Sequence, residues 1–146
     1  MKKNPVVVSL EQVLSDSYAL YLKTQIYHWN VEGADFKSLH ELFEDQYKEL
    51  AEAIDTVAEL IRGLDEKVKI SFEGLASTTA IDDARDKINA QGMLKDLVND
   101  QQAIIKTLDK ALSVSQKAGD EVVADALIQR LTVHRKNRWM LKSCTE

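Results

Sequence analysis

The chain has 146 residues, 45% hydrophobic and 29% charged, with one proline and five glycines. That length suits one domain with one core, and the scarcity of helix breakers favours an all-α fold over a sheet and its turns. A formal net charge of −5 argues against a general electrostatic grip on nucleic acid or anionic membrane and leaves only local basic patches for such partners.

The lone Cys144 offers no internal disulfide framework and favours a reducing compartment. No apolar run approaches the length of a membrane span, and Pro5 and Glu11 leave no room for a signal-peptide core, so the expected location is the cytoplasm.

Ser9, with Gln12 three positions on, reads as a capping box, and an amphipathic run begins at Leu10. Leu10, Leu14, Tyr21 and His28 fall within about 40° of one another at 100° per residue, so the first helix aims His28 along its apolar stripe. Gly33 is the expected stop. Asp35 is placed as the cap of a second helix running to about Gly63, with Leu39, Phe43, Leu50, Ile54, Val57 and Ile61 as its stripe.

From Asp65 to about Asn89 the period weakens, and "STTAIDDAR" predicts a short capped helix inside a long connection. A third helix runs from about Gln91 to Ala118, burying Leu94, Leu97, Val98, Ile104, Ile105, Leu108 and Leu112, and Gly119 ends it. Asp120 begins a fourth, with Val123, Leu127, Leu131 and His134 on one side. Four helices with one long middle connection predict a ferritin-like four-helix bundle, with a short extra helix between helices 2 and 3 and residues 1–146 as a single domain.

On the second helix His40 and Glu44 are four apart, as are Asp55 and Glu59, so each pair shares a face. Relative to His40 the other three project at about 40°, 60° and 100°. Imidazole mixed with carboxylate suits iron, zinc or manganese. His40 and Asp55, however, lie 15 residues or about 22 Å apart along a helix, too far to share one ion. Either these are two half-sites, or a two-fold axis lays His40 and Glu44 of one chain against Asp55 and Glu59 of another. His28 can add a third ligand on the His40 side.

Measured from Leu39, the core stripe centres near 30° and the four candidate ligands near 150°, so they do not point into their own bundle. The plain alternative is a solvated acidic face. Ala51 and Ala58 on the same side favour the close approach of another helix, which an intersubunit site explains. An intra-bundle di-iron site, by contrast, wants Glu-x-x-His motifs, and this sequence has none.

The run His28-Trp29-x-Val31-x-Gly33, five residues, Leu39-His40, three residues and Glu44, continuing into Asp55-x-Val57-Ala58-Glu59, resembles the Dps family of mini-ferritins, DNA-binding proteins from starved cells. The resemblance implies a hollow homododecamer with a ferroxidase centre at each two-fold interface, formed by His28, His40 and Glu44 from one subunit and Asp55 and Glu59 from the other. It further implies oxidation of Fe(II), with hydrogen peroxide preferred, up to two iron ions per centre, and storage of ferric mineral that limits oxidative damage. Glu44 stands where the family usually has Asp, which puts the holding of the second metal in doubt, and Leu60 stands where Arg is frequent. The family assigns the neighbouring tryptophan, here Trp29, to radical interception, and the start of the last helix, here Asp120 and Asp125, to pores that admit iron.

Other residues have plainer readings. His134 shares an apolar stripe and is expected as a satisfied core histidine. Asp120, Glu121 and Asp125 suit a helix N-terminus, and Arg130, Arg135, Lys136, Arg138 and Lys142 suit a helix C-terminus or salt bridges. A DNA-compacting assembly is the alternative function, weakened because the N-terminal tail offers only Lys2 and Lys3 before Pro5. A helical interaction protein with an acidic face is the third.

Overall fold

The structure is a computed structural model in which residues 3–145 are described; Lys2 of the basic tail lies outside them. Five helices follow one another: α1 Pro5–Asn30, α2 Phe36–Gly63, α3 Phe72–Thr78, α4 Ala90–Lys117 and α5 Glu121–Ser143. No strand occurs among the described residues. The fold is the expected all-α four-helix bundle with a short extra helix between the second and third long ones.

The long helices pair as α1 with α2 and α4 with α5, and α1 packs on α4 to join the pairs. Short connections force each pair antiparallel. Gly33, at φ 114°, turns the chain between α1 and α2 in a backbone region that L side chains rarely adopt. The predicted stripes form the core: Leu10, Leu14, Phe43, Val57, Ile61, Leu94, Leu97, Leu108 and Leu127 are all buried. Each such side chain stabilises the fold by roughly 1.5–3 kcal/mol relative to exposure.

Three expectations change. α1 starts at Pro5, not Leu10, because Asn4 caps it by accepting from the Val6 N–H at 2.9 Å and proline at the first position is already set to a helical φ. Ser9 is therefore inside the helix. Asp35 stands at the N-cap of α2, but its side chain makes no capping bond; its carbonyl accepts from Leu39 N–H and Ser38 Oγ instead.

The short helix lies just before the expected "STTAIDDAR" segment. Ser71 caps α3 through Gly74 N–H at 3.0 Å, and the helix stops at Thr78. Asp16 explains the stop. Buried on α1, its Oδ1 accepts from Thr79 Oγ1 and Ala80 N–H, both at 2.8 Å, and its Oδ2 from Thr107 Oγ1 on α4 at 2.7 Å. Residues after Thr78 are thereby held to the bundle rather than continuing the helix.

A candidate metal centre on the outer face of the first two helices

The turn at Gly33 brings the end of α1 beside the start of α2. His28 and His40 stack there with ring centroids 3.8 Å apart and planes 16° from parallel. The His28 Nδ1–H donates to the His40 carbonyl and the His40 Nδ1–H to the His28 carbonyl, each at 2.7 Å. A carbonyl can only accept, so both Nδ1 atoms carry hydrogen, and each neutral ring leaves its Nε2 lone pair for a ligand.

Glu44 lies one turn beyond His40. Its Oε1 is 3.7 Å from His28 Nε2, and a ligand atom from each of His28, His40 and Glu44 falls within 4.8 Å of the others. His28 is buried, while His40 and Glu44 are half-buried. Imidazoles oriented by backbone carbonyls, with a carboxylate alongside, are the donor chemistry of a first-row transition metal such as iron. Iron fits these residues.

Two neighbours were not singled out in the sequence. Lys48 donates to Glu44 Oε2 at 2.7 Å, and this bond is the main cause holding the Glu44 carboxyl below its ordinary range. The Tyr47 ring meets His28 edge-on at 5.2 Å. Both were accessible from spacing, since Lys48 is four residues from Glu44 and Tyr47 two helical turns from His40.

Asp55 and Glu59 lie farther along the unbroken α2 and are exposed. The hydrogen bond and like charge of Asp55 push the Glu59 carboxyl above its usual range. The chain thus brings together His28, His40 and Glu44 and leaves Asp55 and Glu59 as a separate carboxylate pair. Ala51, between the two groups, is exposed and Ala58, within the second, is half-buried, so the helix carries a small side chain at each of these points.

Inside the bundle, α1 and α4 enclose an ion cluster instead of metal-ready ligands. The Lys23 ammonium sits 3.1 Å from Asp96 and 2.8 Å from Asp100, and Tyr27 donates to Asp96 at 2.6 Å. Burial raises the Asp100 carboxyl to about 6 despite Lys23.

Trp29 is 58% exposed. Asp120 caps α5 through Val123 N–H at 3.0 Å, and the exposed Asp125 accepts from Gln129 at 3.0 Å. Asp120 and Glu59 line one open hollow between α2 and α5. His134 is a fully satisfied core residue: its Nδ1–H donates to Gln101 Oε1 and its Nε2 accepts from Arg130, both at 2.8 Å. Arg130 also pairs with Glu49, so only part of the basic end, including Arg135, Lys136 and Lys142, is free at the surface.

Comparison with known proteins agrees with the fold. The family model for a ferritin-like domain matches residues 8–146. A low temperature-induced protein of Nostoc sp. is 38% identical over 99% of this chain and 82% of its own length. The DNA protection during starvation protein of Brevibacillus brevis is 32% identical over 97% of this chain and 95% of its own. The crystal structure of a Dps protein from Bacillus brevis superposes with a TM-score of 0.95 at 32% identity, covering 100% of both chains. That of Dps from Vibrio cholerae, described as a member of a superfamily of ferritin-like diiron-carboxylate proteins, gives 0.92 at 27% identity over 97% of this chain and 89% of its own.

Proposed function

The chain belongs to the Dps family of ferritin-like proteins, and on that premise we propose that it oxidises Fe(II), preferentially with hydrogen peroxide, and stores the ferric product in a dodecameric shell. The observation that carries this reading is the pair of Nε2 lone pairs, freed by the reciprocal Nδ1–carbonyl bonds and set beside Glu44. Fe(II) is the substrate. Carboxylates bind Fe(III) more strongly than Fe(II), so Glu44 favours the oxidised ion, while the imidazoles, oriented by their Nδ1–carbonyl bonds, fix its position.

The centre is completed across a two-fold axis by Asp55 and Glu59 of a second copy. The hydrogen bond between them and, after it, their like charge raise the Glu59 carboxyl, and an incoming cation relieves that repulsion. Activity then depends on assembly. Asp120 and Asp125, at the mouth of α5, are assigned to the iron-admitting pores, and Trp29 to interception of radicals that escape the centre.

Anaerobic addition of Fe(II), followed by equimolar peroxide or by air, tests the reading through ferric absorbance. Fast oxidation by peroxide that is lost in His40→Ala is expected. Identical slow traces in both proteins would overturn it.

A second reading, DNA compaction, draws on the exposed Arg135, Lys136 and Lys142 of α5 and on the names of the starvation-protection relatives. Lys3 contributes little, since it pairs with Glu11 at 2.5 Å. Backbone binding by so few cations should disappear between low and physiological salt in a gel shift, even with the avidity of twelve copies.

A further inference from the structure

Hydrogen peroxide takes two electrons, and one Fe(II) supplies one. When the centre holds a single iron ion, the second electron must come from elsewhere. The aromatic side chains around His28 offer a source. Tyr47 meets the His28 ring at 5.2 Å and 65°, Tyr21 meets Tyr47 at 5.7 Å and 81°, and Tyr18 meets Tyr21 at 6.4 Å and 73°. Each pair is an edge-to-face contact within the ordinary range for packed aromatic rings. Tyr18 is 44% exposed, whereas Tyr21 and Tyr47 are half-buried. The rings therefore run without a gap from a candidate ligand to the surface.

We propose that Tyr47, Tyr21 and Tyr18 form an oxidation relay that supplies the second electron and carries the resulting radical away from the iron. The proposal rests on the reading that Fe(II) is oxidised by peroxide at His28, His40 and Glu44. The step balances as Fe(II) + H2O2 + Tyr47–OH → Fe(III) + OH⁻ + H2O + Tyr47–O•. Iron and Tyr47 each lose one electron, the O–O bond breaks, and the phenolic proton ends in water. Tyr21 then returns a hydrogen atom equivalent to Tyr47, and Tyr18 to Tyr21. At the surface, Tyr18 is reset by a one-electron reductant in solution or couples with a second tyrosyl radical to give dityrosine.

The geometry separates this route from one through Trp29. Trp29 is more exposed than any of the three tyrosines and joins none of the ring pairs among the described residues. Tyr47 touches the ligand ring itself. A relay beginning at Tyr47 removes the oxidising equivalent before hydroxyl radical can leave the site, which a neighbouring indole on the outside can only intercept afterwards.

The test loads the assembled protein anaerobically with one Fe(II) per subunit, adds one equivalent of peroxide and freezes the sample for electron paramagnetic resonance. Dityrosine fluorescence and ferric absorbance are recorded on the same material. Wild type should show a tyrosyl signal, and Tyr47→Phe, which keeps the ring, should lose most of it. Tyr18→Phe should keep the tyrosyl signal and lose the dityrosine. An undiminished tyrosyl signal in Tyr47→Phe, or a wild-type signal that is tryptophanyl alone and disappears in Trp29→Phe, would overturn the relay. Absence of ferric absorbance in the wild type would instead overturn the ferroxidase reading, and the relay with it.

Discussion

His28 and His40 hold each other in place: each imidazole Nδ1–H donates to the backbone carbonyl of the other at 2.7 Å while the two rings stack. Because the acceptors are backbone atoms, removing one imidazole does not release the other. His28→Ala leaves the His28 carbonyl to orient His40, and His40→Ala leaves the reverse. Each variant should lose one ligand rather than two, with weakened Fe(II) binding and a residual stoichiometry. His40→Ala also strands the His28 carbonyl in the last turn of α1, a cost of about 1–3 kcal/mol where water cannot replace the donor, whereas the His40 carbonyl lies inside α2 and keeps its helical donor in His28→Ala. Anaerobic iron titration and urea unfolding check the two parts separately.

Lys48 opposes the site it helps to shape. Its ammonium bonds Glu44 Oε2 at 2.7 Å and places a positive charge where a cation must arrive. Glu44 is held well ionised at neutral pH, and losing Lys48 would let its carboxyl rise toward the ordinary value without protonating it at pH 7. Lys48→Met should therefore tighten Fe(II) binding at neutral pH. The gain should shrink as salt is added, because the pair is exposed and screened within about 10 Å at 0.1 M. Calorimetry at two ionic strengths reads the difference, and an equal or weaker affinity at low salt would refute it.

A centre completed by a second copy makes a genetic prediction. His40→Ala chains and Asp55→Ala chains are each expected to be inactive alone. Hybrid shells assembled from both should recover a fraction of ferroxidase activity, since some interfaces then bring intact His40 against intact Asp55. No recovery in hybrids verified by mass spectrometry would count against the shared geometry.

The helices and the centre differed in how far residue order revealed them. Long periodic stripes such as Leu39, Phe43, Leu50, Val57 and Ile61 repeat the helical period often enough to fix a buried face, and all five are buried. His28 was legible because it continues the stripe of Leu10 and Leu14. Its mutual bonding with His40 was not, because that depends on the turn at Gly33 bringing two backbones together. The position of α3 was missed for a similar reason. Local capping signals favoured the segment after Ser77, but Asp16, some 60 residues earlier, engages Thr79 and Ala80. A tertiary hydrogen bond there overrides the local pattern.

Asp16 should accordingly be among the costlier polar residues to remove. It is fully buried and receives four donors from α1, α4 and the connection: Gln12, Thr79, Ala80 and Thr107. Asp16→Ala strands the Ala80 N–H and the Thr79 hydroxyl and leaves Thr107 only its longer bond to the Ala103 carbonyl at 3.3 Å; a loss of roughly 3–5 kcal/mol is expected for breaking such a buried charged network. Faster hydrogen exchange should appear first around residues 78–81. A uniform change across the bundle would argue that the connection is held by something else.

His134 sets a pH dependence that can be separated from the rest of the protein. Its Nε2 accepts from Arg130, its Nδ1–H donates to Gln101, and the nearest charge from α2, Glu49, is engaged by the same arginine. A proton on Nε2 would have to displace the Arg130 donor and face its positive charge. Burial first, and Arg130 second, lower the imidazole to about 3 from the ordinary 6.5. The unfolded chain thus binds a proton between those values and the folded chain does not, so stability falls as pH drops from about 6.5 toward 3. At about 1.4 kcal/mol per pH unit, the loss is at most roughly 4–5 kcal/mol. Asp100 acts oppositely: its carboxyl, raised to about 6 by burial, loses stability as pH rises from about 4 through 6. A difference measurement isolates the histidine. His134→Gln retains a donor and an acceptor but cannot titrate, so its stability deficit relative to wild type should be largest above pH 7 and narrow steadily as the solution is acidified. Urea unfolding of both proteins at pH 7, 5.5 and 4.5 provides the check, and a deficit independent of pH would show that the imidazole takes up its proton without leaving the fold.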